Sequence, residues 1–210
     1  MYRVVDPKEV GRENTWEIFH DSGMPYSTTV VKVDVTNLME FYKNHRGEYR
    51  LNALILYLIL NACEPVKETK YNPVGDKIYV YDDSCASCML PDDEGTLRMC
   101  CIPFTKDLDE FQKNYNELTQ KCMVEHVDHM SEDKIRIGTR SLGAFNVEIE
   151  AVVPAVSKRY NNPFFVFGRI VSEGDKKFLR ISMNSHHIAM DGEHVCMIFQ
   201  NLQELINKLK

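Results

Sequence analysis

The segment Ser185-His186-His187-Ile188-Ala189-Met190-Asp191-Gly192 gathers the residues of this chain best suited to proton transfer. Leu179, Ile181 and Met183 alternate just ahead of it, so a strand is expected to run directly into the histidine pair. A histidine at a strand end projects into a cleft while the sheet holds it rigid. Its neutral imidazole is available as a base near neutral pH, and a positioned base contributes roughly a hundred- to ten-thousand-fold in rate. Asp191, four residues after His187, has two open roles. It can stabilise the turn that carries His187, or act as the N-cap of the helix that follows, where Asp is favoured. Read alone, the pair could equally be strand-end packing or a metal motif.

The surrounding pattern supplies the elements that must hold this segment. Thr28 to Val35 alternates and is β-branched, which predicts a strand, with Thr36 or Asn37 capping a helix to about Asn44. Tyr49 to Cys63 reads as a buried helix ended by Glu64-Pro65. Strands are expected at Lys77 to Tyr81, Cys85 to Leu90 and Thr96 to Pro103. Thr105 to Met123 carries Leu108, Phe111, Tyr115, Leu118 and Cys122 at helical spacing. Further strands are expected at Ala144 to Val153, Phe164 to Val171 and Lys177 to Asn184, the last two joined at Ser172-Glu173-Gly174-Asp175. Val195, Ile198, Phe199, Leu202, Leu205, Ile206 and Leu209 form one stripe of a closing amphipathic helix. These elements imply a single domain, residues 1–210, of α/β class: a two-layer sandwich with a mixed β-sheet packed by helices.

Composition narrows the partners. The chain has 210 residues, a length suited to one core. Its formal net charge of −6 disfavours nucleic acid and anionic membrane, which clustered Lys and Arg normally meet. The start, Met1-Tyr2-Arg3-Val4-Val5-Asp6, has no apolar signal region. Leu51 to Ala62 is too short to span a bilayer, which takes about 20 residues. Seven cysteines, an odd number, without an export signal point to free thiols and a cytoplasmic location. Cys85-Ala86-Ser87-Cys88 and Cys100-Cys101 read as small core or surface thiols. Glu125, His126, Asp128 and His129 read as a polar turn, and Pro91 to Gly95 as an acidic turn. No metal is expected.

His186-His187-Ile188-Ala189-Met190-Asp191-Gly192 resembles the HHxxxDG signature of CoA-dependent acyltransferases. Val5 to Arg12, Phe104 to Phe111 and Asn201 to Leu205 resemble the opening, central-helix start and closing helix of the chloramphenicol acetyltransferases. The chain is similar to that family over nearly its whole length. The resemblance implies acetyl-CoA as co-substrate and a small-molecule hydroxyl acceptor, chloramphenicol first. It implies His187 as general base and direct transfer through a tetrahedral oxyanion. It also implies an ion pair between Asp191 and Arg12, an acceptor pocket at Ile18 and Phe19, and a homotrimer with active sites between subunits.

One expected part is missing. The family carries an oxyanion-binding Ser shortly before Pro-Trp, and the only tryptophan here is Trp16. One alignment puts Glu148 at that position, through Phe145-Asn146-Val147-Glu148; another brings Thr139 or Ser141 nearby. An ionised Glu148 repels an oxyanion, so Thr139 and Ser141 are the candidates. Two functions follow: an O-acetyltransferase, or a trimeric binding or scaffold protein of the same fold with weak or no activity. An acyltransferase core serving a lipoyl carrier is disfavoured, because no linker-like run is found.

Overall fold

The computed structural model describes residues 1–145, 147–153 and 161–209. In chain order it has strands β1 (Tyr2–Val5), β2 (Tyr26–Asp34), β3 (Tyr71–Val74), β4 (Lys77–Tyr81), β5 (Ser84–Pro91), β6 (Leu97–Pro103), β7 (Ile135–Ser141), β8 (Phe164–Phe167), β9 (Val171–Glu173) and β10 (Lys176–His186). The helices are α1 (Glu13–Phe19), α2 (Thr36–Asn44), α3 (Leu51–Cys63), α4 (Leu108–Glu125) and α5 (Gly192–Lys208). The large sheet runs β2-β10-β8-β7-β5-β6, with β9 also paired to β10. It is mixed: β5–β7 and β7–β8 are parallel, the other pairs antiparallel. A small antiparallel sheet, β1-β4-β3, stands apart.

The expected two-layer α/β sandwich is therefore present. In α3, nine residues from Ala53 to Cys63 are buried, so this helix is the centre of the helical layer. It packs against α5 and α4 and meets the sheet at β5 and β7. The closing stripe Val195, Ile198, Phe199, Leu202 and Ile206 is buried as its spacing predicts. Two buried thiols, Cys88 and Cys100, face each other across β5 and β6 in the same core. All seven cysteines are free thiols, and only Cys196 is exposed.

Several element boundaries differ from the sequence reading. Asp107, not Thr105, starts α4, because its Oδ1 accepts the Glu110 amide at 2.8 Å. Neither Thr36 nor Asn37 caps α2. Thr36 is the first helical residue, and its amide and hydroxyl both donate to Asp34 Oδ1. The Phe164–Val171 stretch is two strands, β8 and β9, on the same flank of β10. The turn at Gly174 is as expected, with φ +60°.

The expected strand Ala144 to Val153 is not a strand among its described residues; Asn146 lies outside them. The reason is that β10 has no edge left. Phe178–His186 pair with β2 on one side, while β8 and β9 occupy the other. Residues 148–152 instead lie over β10 through side chains. Arg180 pairs with Glu148 (2.7 Å) and Glu150 (2.9 Å), and the Val152 amide donates to Ser182 Oγ (2.9 Å).

No strand is expected from the sequence over β7, which has Gly138 at its centre. The structure explains the glycine: a Cβ there would sit 2.2 Å from the Phe164 ring. Gly138→Ala is expected to destabilise the fold by about 1–3 kcal/mol, as overpacking does. A lowered urea midpoint would register it; an unchanged midpoint would mean that Phe164 swings aside freely.

Candidate active site

The site is assembled from the two ends of the chain. Near the N-terminus, Asp6 caps a single 3-10 turn, Pro7–Val10, and Glu9 returns a bond to the Asp6 amide (2.9 Å). Gly11, at φ +72°, lets the chain reverse out of that turn with no Cβ penalty. Arg12 follows at once, its amide fixed to the Pro7 carbonyl (2.8 Å), and α1 begins. This local geometry turns the Arg12 side chain inward, where it is only 7% exposed.

At the other end, β10 delivers His186 and His187 as expected, and the chain then folds tightly back. The amides of Ala189 and Met190 both donate to the His186 carbonyl, and Asp191 occupies the N-cap of α5. Arg12 locks this turn with four hydrogen bonds. Its guanidinium forks onto Asp191 (Nη1–Oδ2 2.6 Å, Nη2–Oδ1 2.9 Å). It also donates from Nε to the Ile188 carbonyl (2.7 Å) and from Nη2 to the His187 carbonyl (2.9 Å). Only a planar fork with five donors can serve a carboxylate and two carbonyls together. The Arg12 bonds hold the Asp191 carboxyl below its ordinary pKa, against an opposing push from burial.

His187 is held by its backbone and by one ring contact. Its amide donates to the Pro25 carbonyl (2.8 Å). The Phe19 ring stacks on the imidazole, centroids 4.3 Å apart and planes 16° from parallel. Asp191 Oδ1 lies 3.6 Å from Nδ1, too far for a hydrogen bond. Nδ1 is shielded from solvent and has no hydrogen-bond partner among the described residues, whereas the side chain as a whole is 36% exposed. The ring thus offers its Nε2 edge. Because its nearest oxygen stands 3.6 Å from Nδ1 while both oxygens bond Arg12, Asp191 holds the backbone of the turn rather than orienting the imidazole. Asp191 thus lies both in the turn after His187 and at the N-cap position of α5.

His186 points the other way. It is 5% exposed, lies edge-on to Tyr26 (5.0 Å), and its Nδ1 accepts the Ile188 amide (3.3 Å). Burial, and then the neighbouring His187, push its pKa down to about 4, so it stays neutral. It borders a cleft of about 460 Å³ with Trp16, Tyr26, Asn161 and Ile188.

The remaining expected residues fare differently. Phe19 meets His187 directly, while Ile18 is 69% exposed. Thr139 and Ser141 are not brought to His187 within the chain. Thr139 stands level with Phe165 and Met183 across the sheet, and Ser141 with Phe167 and Ile181. At sheet spacings these positions lie roughly 16 and 22 Å from His187. Thr139 is buried and donates to the Ser87 carbonyl (3.2 Å), whereas Ser141 is exposed. Glu148 is tied to Arg180 by an ion pair of 2.7 Å.

The acidic turn between β5 and β6 is structural. Asp92, Asp93 and His126 lie close enough to suggest a metal group. However, the Asp92 carboxylate already accepts from the amides of Glu94 and Thr96, from Arg98 Nε and from the His126 ring. His129 sits 3.2 Å from Glu125, one turn back.

His194, in the first turn of the last helix and given no role from the sequence, faces both Asp191 and Glu68. The available signal was its place: the third residue of a helix whose cap is Asp191.

Comparison with known proteins gives the family. Residues 1–203 match the family model described as chloramphenicol acetyltransferase. The chain is 25% identical over 222 aligned residues to chloramphenicol acetyltransferase 3 of Escherichia coli, covering 100% of this chain and 99% of that one. A solved chloramphenicol acetyltransferase superposes with a TM-score of 0.82 at 16% identity, each chain fully covered. A probable dihydrolipoamide acetyltransferase from Listeria monocytogenes gives 0.73 at 14% identity, covering 97% of this chain and 92% of that one. With the family model spanning nearly the whole length, the chain belongs to the chloramphenicol acetyltransferase family.

Proposed function

We propose that this protein transfers an acetyl group from acetyl-CoA to the hydroxyl of a small acceptor, with chloramphenicol the first candidate. The carrying observation is His187: its ring is braced by Phe19, its backbone is locked by Arg12, and its Nε2 edge is open. Nε2 takes the proton of the acceptor hydroxyl as that oxygen attacks the thioester carbonyl. A tetrahedral oxyanion forms with no acyl-enzyme. Its collapse breaks the C–S bond, and the departing CoA thiolate recovers the proton from the imidazolium. Acetyl-CoA is a co-substrate, and no metal enters the scheme.

The site is proposed to complete itself between subunits of a homotrimer. Two features support this. The candidate hydroxyls stand far from His187 in one protomer, and the segment after β7 exposes Phe145, Val147 and Val153, each more than half accessible. Of the two hydroxyls, Ser141 is the one at the surface and is proposed as the oxyanion donor from a neighbouring subunit. Such a donor is worth on the order of a hundred- to a thousand-fold in kcat. Thr139 already spends its hydrogen on Ser87. The acceptor is proposed to meet Phe19, with Ile18 at the rim. No helix among the described residues is long and apolar enough to cross a membrane; a cytoplasmic location belongs to this proposal.

The test is to incubate the protein with acetyl-CoA and a panel of hydroxyl acceptors and follow release of CoA thiol. Turnover with at least one acceptor is expected. No turnover with any, together with no CoA binding by calorimetry, would favour the scaffold reading.

A further inference from the structure

His194 links the locked turn to a separate part of the fold. The Asp191 amide donates to His194 Nδ1 at 3.0 Å. An amide has only a proton to offer, so Nδ1 is the bare, accepting nitrogen, and the neutral ring carries its hydrogen on Nε2. Nε2 faces Glu68 Oε1 at 3.5 Å, a charge–dipole contact that favours that tautomer. Glu68 sits on the 3-10 turn Lys67–Lys70 leading into β3, and its side chain is only 12% exposed.

A continuous line therefore runs from Glu68 through His194 and Asp191 to Arg12 and the carbonyls of His187 and Ile188. Arg12 holds the Asp191 carboxylate, and His194 holds its backbone. An ordinary helix cap has no need of a titratable ring at this position, because Glu or Gln completes a capping box. What the imidazole adds is a second bonding edge, on Glu68, which ties the start of α5 to the 3-10 turn ahead of the small sheet.

We infer that His194, accepting the Asp191 amide at Nδ1 and facing Glu68 with its Nε2–H, is a positioning residue that fixes the turn presenting His187. The inference rests on the acetyl-transfer reading above. His194→Ala is expected to lower kcat roughly 10- to 100-fold, the cost of a small misplacement of the base, with KM for acetyl-CoA essentially unchanged. His194→Gln, able to complete the capping box, should recover most of kcat. Glu68→Ala leaves the cap in place but removes the tie between His194 and the 3-10 turn, and should lower kcat by itself. It also carries the test should His194→Ala fail to fold. Nitrogen-15 spectra of ring-labelled wild type should show His194 with Nδ1 bare and Nε2 protonated.

Wild-type turnover with full kcat in His194→Ala and Glu68→Ala would overturn this inference alone. So would equal impairment of His194→Ala and His194→Gln, or the opposite tautomer. Absence of turnover in the wild type would instead overturn the reading it rests on.

Discussion

His187→Ala is expected to remove nearly all turnover while leaving the protein folded. The loss should fall in kcat, by roughly a hundred- to ten-thousand-fold, the range for a positioned general base. Stability should change little, because the imidazole is more than a third exposed and its ring nitrogens bond to no described residue. The turn itself is held by backbone carbonyls and Asp191, which the substitution keeps. Affinity for acetyl-CoA should persist, since binding is not what the base supplies. A thiol-release assay with calorimetry of CoA binding measures both quantities. Undiminished turnover would sink the proposed chemistry. Loss of binding together with turnover would point to a binding rather than a proton-transfer role.

The parts of the site that were legible in the sequence are local. A strand running into two histidines, with a cap residue four positions on, is a short-range pattern, and β10 and α5 have it. Arg12 was readable only through the resemblance, because nothing in its own neighbourhood says that it reaches 179 residues along the chain to Asp191. Its burial depends on Gly11 and a single 3-10 turn, which leave no periodic trace. Helix α1, at seven residues, is too short to show an amphipathic stripe.

The missed β7 and the over-read Ala144 to Val153 have a common cause. Strand propensity measures a fit to a half-buried pleated surface, and a sheet neighbour decides whether that surface exists. Gly138 is tolerated because the Phe164 ring fills its place, while Val147 and Ile149 find β10 already paired on both edges. His194 has no role legible in the sequence for a related reason. Its value lies in Glu68, which sits 126 residues earlier, as the numbering of the pair shows.

Arg12→Ala should damage both stability and activity, and the two effects have one origin. The substitution strips two hydrogen bonds from Asp191 and one each from the carbonyls of His187 and Ile188. Breaking a fully buried ion pair costs about 3–5 kcal/mol. Asp191 is 38% exposed, so water takes over part of the loss, and about 2–4 kcal/mol is the expected figure. Arg12→Lys should recover only part of it, because one ammonium cannot reach a carboxylate and two carbonyls at once. The pH dependence gives this prediction its sign. The folded pKa of Asp191 is depressed, first by its Arg12 bonds. Its stabilisation is therefore fully present above the unfolded carboxylate value and is lost as pH falls through the lower folded value. The stability gap between wild type and Arg12→Ala should thus be wide near neutrality and narrow as pH falls below about 4. Activity should fall with the gap at its widest, because the same bonds hold the backbone on either side of the base. A gap independent of pH would mean that the two carbonyl bonds, and not the Asp191 ion pair, carry the role of Arg12.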